Sequence, residues 1–167
     1  MIGKGKSISH GTAALEYDLA KEIDGQTAAI EIARHELYGC TGAEMVQEMK
    51  PYHADFPNVK NNCLRFEVSP SIEESATFTD ADWAELGNDF MQRMGLANHQ
   101  YIIIRHSGTE SKKEQAHLHI LANRVSLSGE LYRDNWIGKK ATEAANAIAK
   151  ERNFVQSQDS RNANNAE

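Results

Sequence analysis

The chain has 167 residues, enough for one domain with an ordinary hydrophobic core, and its 40% apolar content fits a globular fold. A formal net charge of −6 excludes a uniformly basic surface that coats nucleic acid nonspecifically, while leaving room for a local basic patch. No run of about 18 apolar residues is present to span a membrane.

The opening Met1-Ile2-Gly3-Lys4-Gly5-Lys6 lacks the apolar core of a secretory leader, and the two cysteines, Cys40 and Cys63, form no Cys-x-x-Cys pair; a cytoplasmic, reducing setting is expected. Residues 12–22 read as a short helix, with Leu15 and Leu19 four apart. Residues 27–35 alternate well enough for a strand. Thr41 followed by Glu44 is a capping-box signal for a helix running to about residue 50, where Pro51 discourages continuation. In 63–69, Leu64, Phe66 and Val68 share one face of a strand, and Arg65, Glu67 and Ser69 share the other.

The next helix is marked at both ends. Thr79 caps it, Asp80 and Asp82 suit its positive end, and Gly95 stops it. Trp83, Leu86, Phe90 and Met94 then form one apolar face, read as core. Strands are expected at 100–106 and about 116–125, and an Ala-rich helix at 140–152. Residues 156–167 are polar and Asn-rich, which predicts a frayed tail after a domain of residues 1–155 and suits a domain cut from a longer protein. Basic residues cluster as Lys4 with Lys6, Lys112 with Lys113, and Arg133 with Lys139 and Lys140.

The chemistry is concentrated in the last pair of strands. His117 and His119 are separated by one residue, so their side chains leave the same face of a strand. If the strands pair across the polar loop 107–116, His106 lies opposite His117 and three imidazoles converge. Three neutral nitrogen ligands suit a divalent ion with positions left open for substrate. Ile102 and Ile104 share the His106 face in a regular strand, so the site is expected to be partly buried or accompanied by a bulge. The remaining histidines, His10, His35, His53 and His99, read as surface or packing residues.

The stretch His106-Ser-Gly-Thr-Glu, continued by His117-Leu-His119-Ile-Leu-Ala-Asn123-Arg124-Val125, resembles the three-histidine motif of conjugative and mobilization relaxases, within the His-hydrophobe-His nuclease group. The opening residues through Leu15-Glu16-Tyr17-Asp18-Leu19 resemble the motif that carries the nucleophilic tyrosine. Arg65-Phe66-Glu67-Val68-Ser69-Pro70 resembles the middle motif, and Met94-Gly95-Leu96 with His99-Gln100-Tyr101 resembles the lead into the histidine strand. The similarity spans roughly residues 1–150.

The resemblance implies an α+β fold, a central antiparallel sheet of about five strands with flanking helices, expected on one face with the site on the other. It implies that His106, His117 and His119 hold one divalent ion (Mg, Mn, Zn or Ni), that Tyr17 attacks phosphorus, and that Glu67 supplies a catalytic carboxylate. Its substrate is expected to be single-stranded or hairpin DNA at an origin of transfer, contacted by Lys112, Lys113, Asn123, Arg124, Arg133, Lys139 and Lys140, with accessory mobilization proteins as partners.

Two departures from the family pattern stand out. Gly108 occupies the place of a common aspartate, and Glu67-Val68-Ser69-Pro70 replaces a His-x-Ser-Phe. Glu67 and Glu110 are the carboxylates available to compensate. Alternative readings are a rolling-circle replication initiator, a small-phosphoester metal hydrolase with Tyr17 idle, and a noncatalytic metal- or DNA-binding relic.

Overall fold

The alternating segment at 63–69 forms the strand Cys63–Ser69 (β5), second from the edge of the main sheet. In this computed structural model, which describes residues 1–109, 111 and 115–156, the other strands of that sheet are Ile2–Ile8 (β1), Ala29–His35 (β4), Tyr101–His106 (β6) and His117–Asn123 (β7). They lie in the order β1-β5-β7-β6-β4, every neighbouring pair antiparallel. A two-stranded ribbon, Glu22–Ile23 (β2) with Gln26–Thr27 (β3), turns at Asp24-Gly25, both at positive φ (53° and 77°). That Asp-Gly pair is a hairpin signal, and it confines the first helix to Gly11–Leu19 (α1).

The second helix, Gly42–Met49 (α2), begins where Thr41 Oγ1 accepts from Glu44 N at 3.1 Å. Pro51 does not stop the chain from turning further; residues Lys50–His53 tighten into a 3₁₀ turn. A one-turn helix, Ile72–Ser75 (α3), precedes Asp80–Arg93 (α4), whose Thr79–Asp82 capping box is reciprocal. The last helix starts earlier than its alanines indicate, at Ile137, and runs to Glu151 (α5).

Both faces of the sheet are covered, which corrects the expectation of helices on one face alone. Leu64, Phe66, Val68, Leu118 and Ile120 pack against Trp83, Leu86 and Phe90 of α4 and Ala141, Ala145 and Ile148 of α5. On the opposite face, Ile102, Ile104 and Leu121 pack against Leu15 of α1 and Met45 and Met49 of α2. Small residues let α5 approach β1 closely: a Cβ on Gly3 would stand 2.4 Å from Ala141 O, and one on Gly5 2.7 Å from the Phe66 ring. The histidine face is therefore half core and half site, with α1 as the boundary. Among the described residues, no helix is long and apolar enough to cross a membrane.

Candidate metal centre and nuclease site

The β6–β7 hairpin puts His106 directly opposite His117, and His119 opposite Ile104. With a side-chain period of two, all three imidazoles leave the same face, and one ligand nitrogen from each lies within 4.8 Å of the others. Their ring centroids are 4.2 Å apart for His106–His119, 4.9 Å for His117–His119 and 5.4 Å for His106–His117.

Hydrogen bonds on the far side of the rings set the tautomers. His117 Nδ1 lies 2.9 Å from the Gln115 carbonyl, and donating to it leaves the Nε2 lone pair facing His119 Nε2 at 3.1 Å. His106 Nε2 lies 2.8 Å from the Asp18 carbonyl, so donation there leaves Nδ1 as its free ligand atom. Burial, reinforced by the neighbouring His106 and His117, pushes His119 down to about 2. Burial likewise lowers His106. Both rings are thus neutral at physiological pH, the form that ligates metal. Convergent lone pairs, few competing donors and a rigid hairpin fit a divalent ion.

Three residues that sequence reasoning did not assign to the site complete its wall. Asp18, 1% exposed, holds the last turn of α1 in two ways. Its carbonyl meets His106, and its carboxylate takes a paired contact from Arg65 of β5, Nε to Oδ2 at 3.2 Å and Nη2 to Oδ1. The same carboxylate stands 3.9 Å from His119 Nδ1. Lys21, one turn beyond Tyr17, donates to the Tyr17 hydroxyl at 3.2 Å, and its charge is felt at both His106 and His119. Tyr17 itself is 59% exposed, so its ring contributes little to the core.

Glu67 lies directly opposite His119 in the β5–β7 pairing and opposite Lys4 in the β1–β5 pairing. One row across the sheet therefore reads Lys4, Glu67, His119. Two adjoining cavities share Lys4 and Glu67. One, of about 210 Å³, adds Lys6, Arg65 and His119; the other, of about 320 Å³, adds Ser69, Gln115 and His117. Together they make a trough beside the histidines, with lysines on its outer edge. Glu67 lines it without joining the three-histidine cluster.

Two residues expected to contact DNA have internal partners in the structure. Asn123 is fully buried: its Nδ2 donates to Met49 O and Gln100 Oε1, and its Oδ1 accepts from Val125 N and faces His53 Nε2. Arg124 directs its donors to Tyr132 O at 2.9 Å and Asn61 O at 3.2 Å, and pairs with Asp134 at 3.3 Å. Both lock the chain as it leaves β7. Arg133 and Lys139 are exposed, and Lys140 reaches back to the Arg133 carbonyl at 3.4 Å. Lys112, Lys113, Glu110 and residues 157–167 of the expected tail lie outside the described residues.

The site is thus a three-histidine cluster on an antiparallel sheet, beside a tyrosine-bearing helix. The family model for "Relaxase: MobA/VirD2-like, nuclease domain" matches residues 17–154, and the chain belongs to that family. Membership places it with relaxases, not with rolling-circle initiators. A solved chain from work on the molecular basis of vancomycin resistance transfer in Staphylococcus aureus is similar at 13% identity and a TM-score of 0.49, covering 92% of this chain and 95% of that one. No curated protein matches significantly.

Proposed function

We propose that the chain is a metal-dependent relaxase domain that nicks one DNA strand at an origin of transfer and becomes joined to its 5′-phosphate through Tyr17. The supporting observation is the tie between nucleophile helix and histidine cluster: Asp18, next to Tyr17, meets His106 with its carbonyl and Arg65 with its carboxylate. A divalent ion held by His106, His117 and His119 would orient the scissile phosphate and offset its growing negative charge.

The protein's own residues do the rest. Tyr17 Oη forms a bond to phosphorus as the bond to the 3′-oxygen breaks; the phenol proton is lost and the 3′-oxygen leaves as a hydroxyl. Lys21 donates to that phenol oxygen at 3.2 Å and holds it in position. Glu67, in the same sheet row as His119, would be the carboxylate that accepts a proton in the trough. Because the phosphodiester energy is kept in the tyrosyl ester, attack by a 3′-hydroxyl reseals the strand without ATP.

Asp18 takes the place in this site that Gly108 leaves without a carboxylate, coming from α1 instead of the histidine loop. Asp18→Asn retains the main-chain contact to His106 and weakens the grip on Arg65 and the field on His119. Single-turnover nicking is expected to fall about 10–100-fold, as for residues that hold metal ligands in place. An unchanged rate would remove Asp18 from the site.

The strand would be held by Lys112, Lys113, Arg133, Lys139 and Lys140. Every phosphate of a single strand that the protein ceases to neutralise lowers the log–log salt slope by about 0.7. Reversing Arg133 and Lys139 to Glu should flatten that slope, and so should reversing Lys112 and Lys113. Titration at several salt concentrations gives the count directly, and a parent-like slope takes that pair out of the interface. Mobilization or conjugative transfer, with accessory proteins, is the process such nicking would begin.

A further inference from the structure

Trp136 is the most exposed large apolar residue of the described chain, at 78%, and stands at φ +59° immediately before α5. A bulky residue with positive φ is uncommon and strained, so the chain around it must hold it there. The flanking contacts do so. Asp134 accepts from Ser7 Oγ at 2.7 Å and pairs with Arg124, while Gly138 lies against Gly5, its Cβ position 3.7 Å from Gly5 O. Residues 134–138 therefore pack on β1 at Gly5 and Ser7, on the α5 side of this edge strand, while Lys6 between them points to the trough side.

Lys6 is also an edge residue of the trough that contains Glu67 and His119. The trough, with Lys4 and Lys6, and Trp136, with exposed Arg133 and Lys139 on either side in sequence, thus flank the edge strand β1. No acidic residue lies in the first turn of α5 and no side chain caps it, so its open N–H groups add positive potential. In a chain of net charge −6, this strip of cations around one fixed indole is complementary to a polyanion whose units each carry a flat ring.

We propose that Trp136 is a base-stacking platform for the single DNA strand where it leaves the trough over the β1 edge. The subsite rests on the nicking reading for its ligand. Stacking tolerates any base, so Trp136 would hold the strand without selecting its sequence, and Lys6 would take an adjoining phosphate.

The chain has two tryptophans, and the other, Trp83, is buried at 2% exposure, so solvent-exposed indole emission reports on Trp136 alone. The probe is an oligothymidylate of about 12 nucleotides, with an abasic strand of equal length as comparison. Both are titrated in chelator, where no strand is cut. The thymidine strand should quench the exposed emission and bind more tightly than the abasic one. Trp136→Ala should weaken thymidine-strand binding about tenfold while leaving the salt slope unchanged, and Trp136→Phe should recover part of the loss. Lys6→Glu should lower the slope.

Equal affinity of Trp136→Ala and parent, or equal binding of the two strands, overturns the stacking subsite. Absence of a covalent adduct with origin DNA counts against Tyr17 and leaves this result standing. The two ideas therefore fail separately.

Discussion

Protein carrying His117→Ala is expected to bind a divalent ion at least about 100-fold more weakly than the parent. Altering the groups that merely support metal ligands already costs roughly 10–100-fold, and this substitution removes a ligand itself. His117 is the right ligand to delete because its Nε2 faces His119 at 3.1 Å, while its Nδ1 is committed to the Gln115 carbonyl. The ring is buried at the first residue of β7, and its hydrogen-bond and ring contacts are to Gln115, His106 and His119, so its loss falls on the site and not on strand pairing. Far-UV circular dichroism should therefore be unchanged. His10→Ala, on an exposed ring remote from the hairpin in sequence, should bind the ion as the parent does. Calorimetric titration with manganese and zinc decides it, and equal affinity for His117→Ala and parent would end the three-histidine assignment.

The hairpin was legible because two local rules suffice for it. Period-two alternation aims His117 and His119 together, and antiparallel pairing brings His106 across from His117. The strand at 63–69 and the helix capped by Thr79 were legible for the same reason, since each is specified by its own residues. The parity of Ile102 and Ile104 with His106 already pointed to burial on the histidine face. What it could not supply was the identity of the cover, because α1 and α2 reach that face only through contacts distant in sequence.

Asp18 and Lys21 were hidden by the same limit. A polar residue at the end of a short helix reads as solvent-facing until the helix is docked, and docking is what buries Asp18 against Arg65, 47 positions away. Asn123 misled in the opposite direction. Following a histidine motif it reads as a ligand for substrate, whereas its amide is taken up by the turn that ends β7. Sequence shows which groups are available; the tertiary neighbours decide which of them remain free to act.

Electrostatics separates the tyrosines in a way composition cannot. The Tyr38 hydroxyl donates to Glu36 Oε2 at 3.0 Å, and that carboxylate raises the phenol above its usual range. Burial raises Tyr101 and Tyr132, whose hydroxyls are bonded to Asn88 and the Met94 carbonyl. Tyr17 instead has an ammonium group on its oxygen, an exposed ring, and Asp18 behind it fastened to the histidines. Tyr17→Phe should consequently leave the melting temperature almost unchanged, because it deletes one exposed hydrogen bond worth about 1 kcal/mol or less. Metal binding and DNA affinity should also persist. Nicking and the covalent adduct should disappear, since phenylalanine has no atom to attack phosphorus. A denaturing gel of labelled single-stranded origin DNA, run with parent and variant and with or without chelator, reads the outcome. An adduct formed by the Tyr17→Phe protein would move the nucleophile to another residue, against the charges around Tyr38. No adduct from the parent with metal and the correct origin supplied would make the domain a DNA-binding relic.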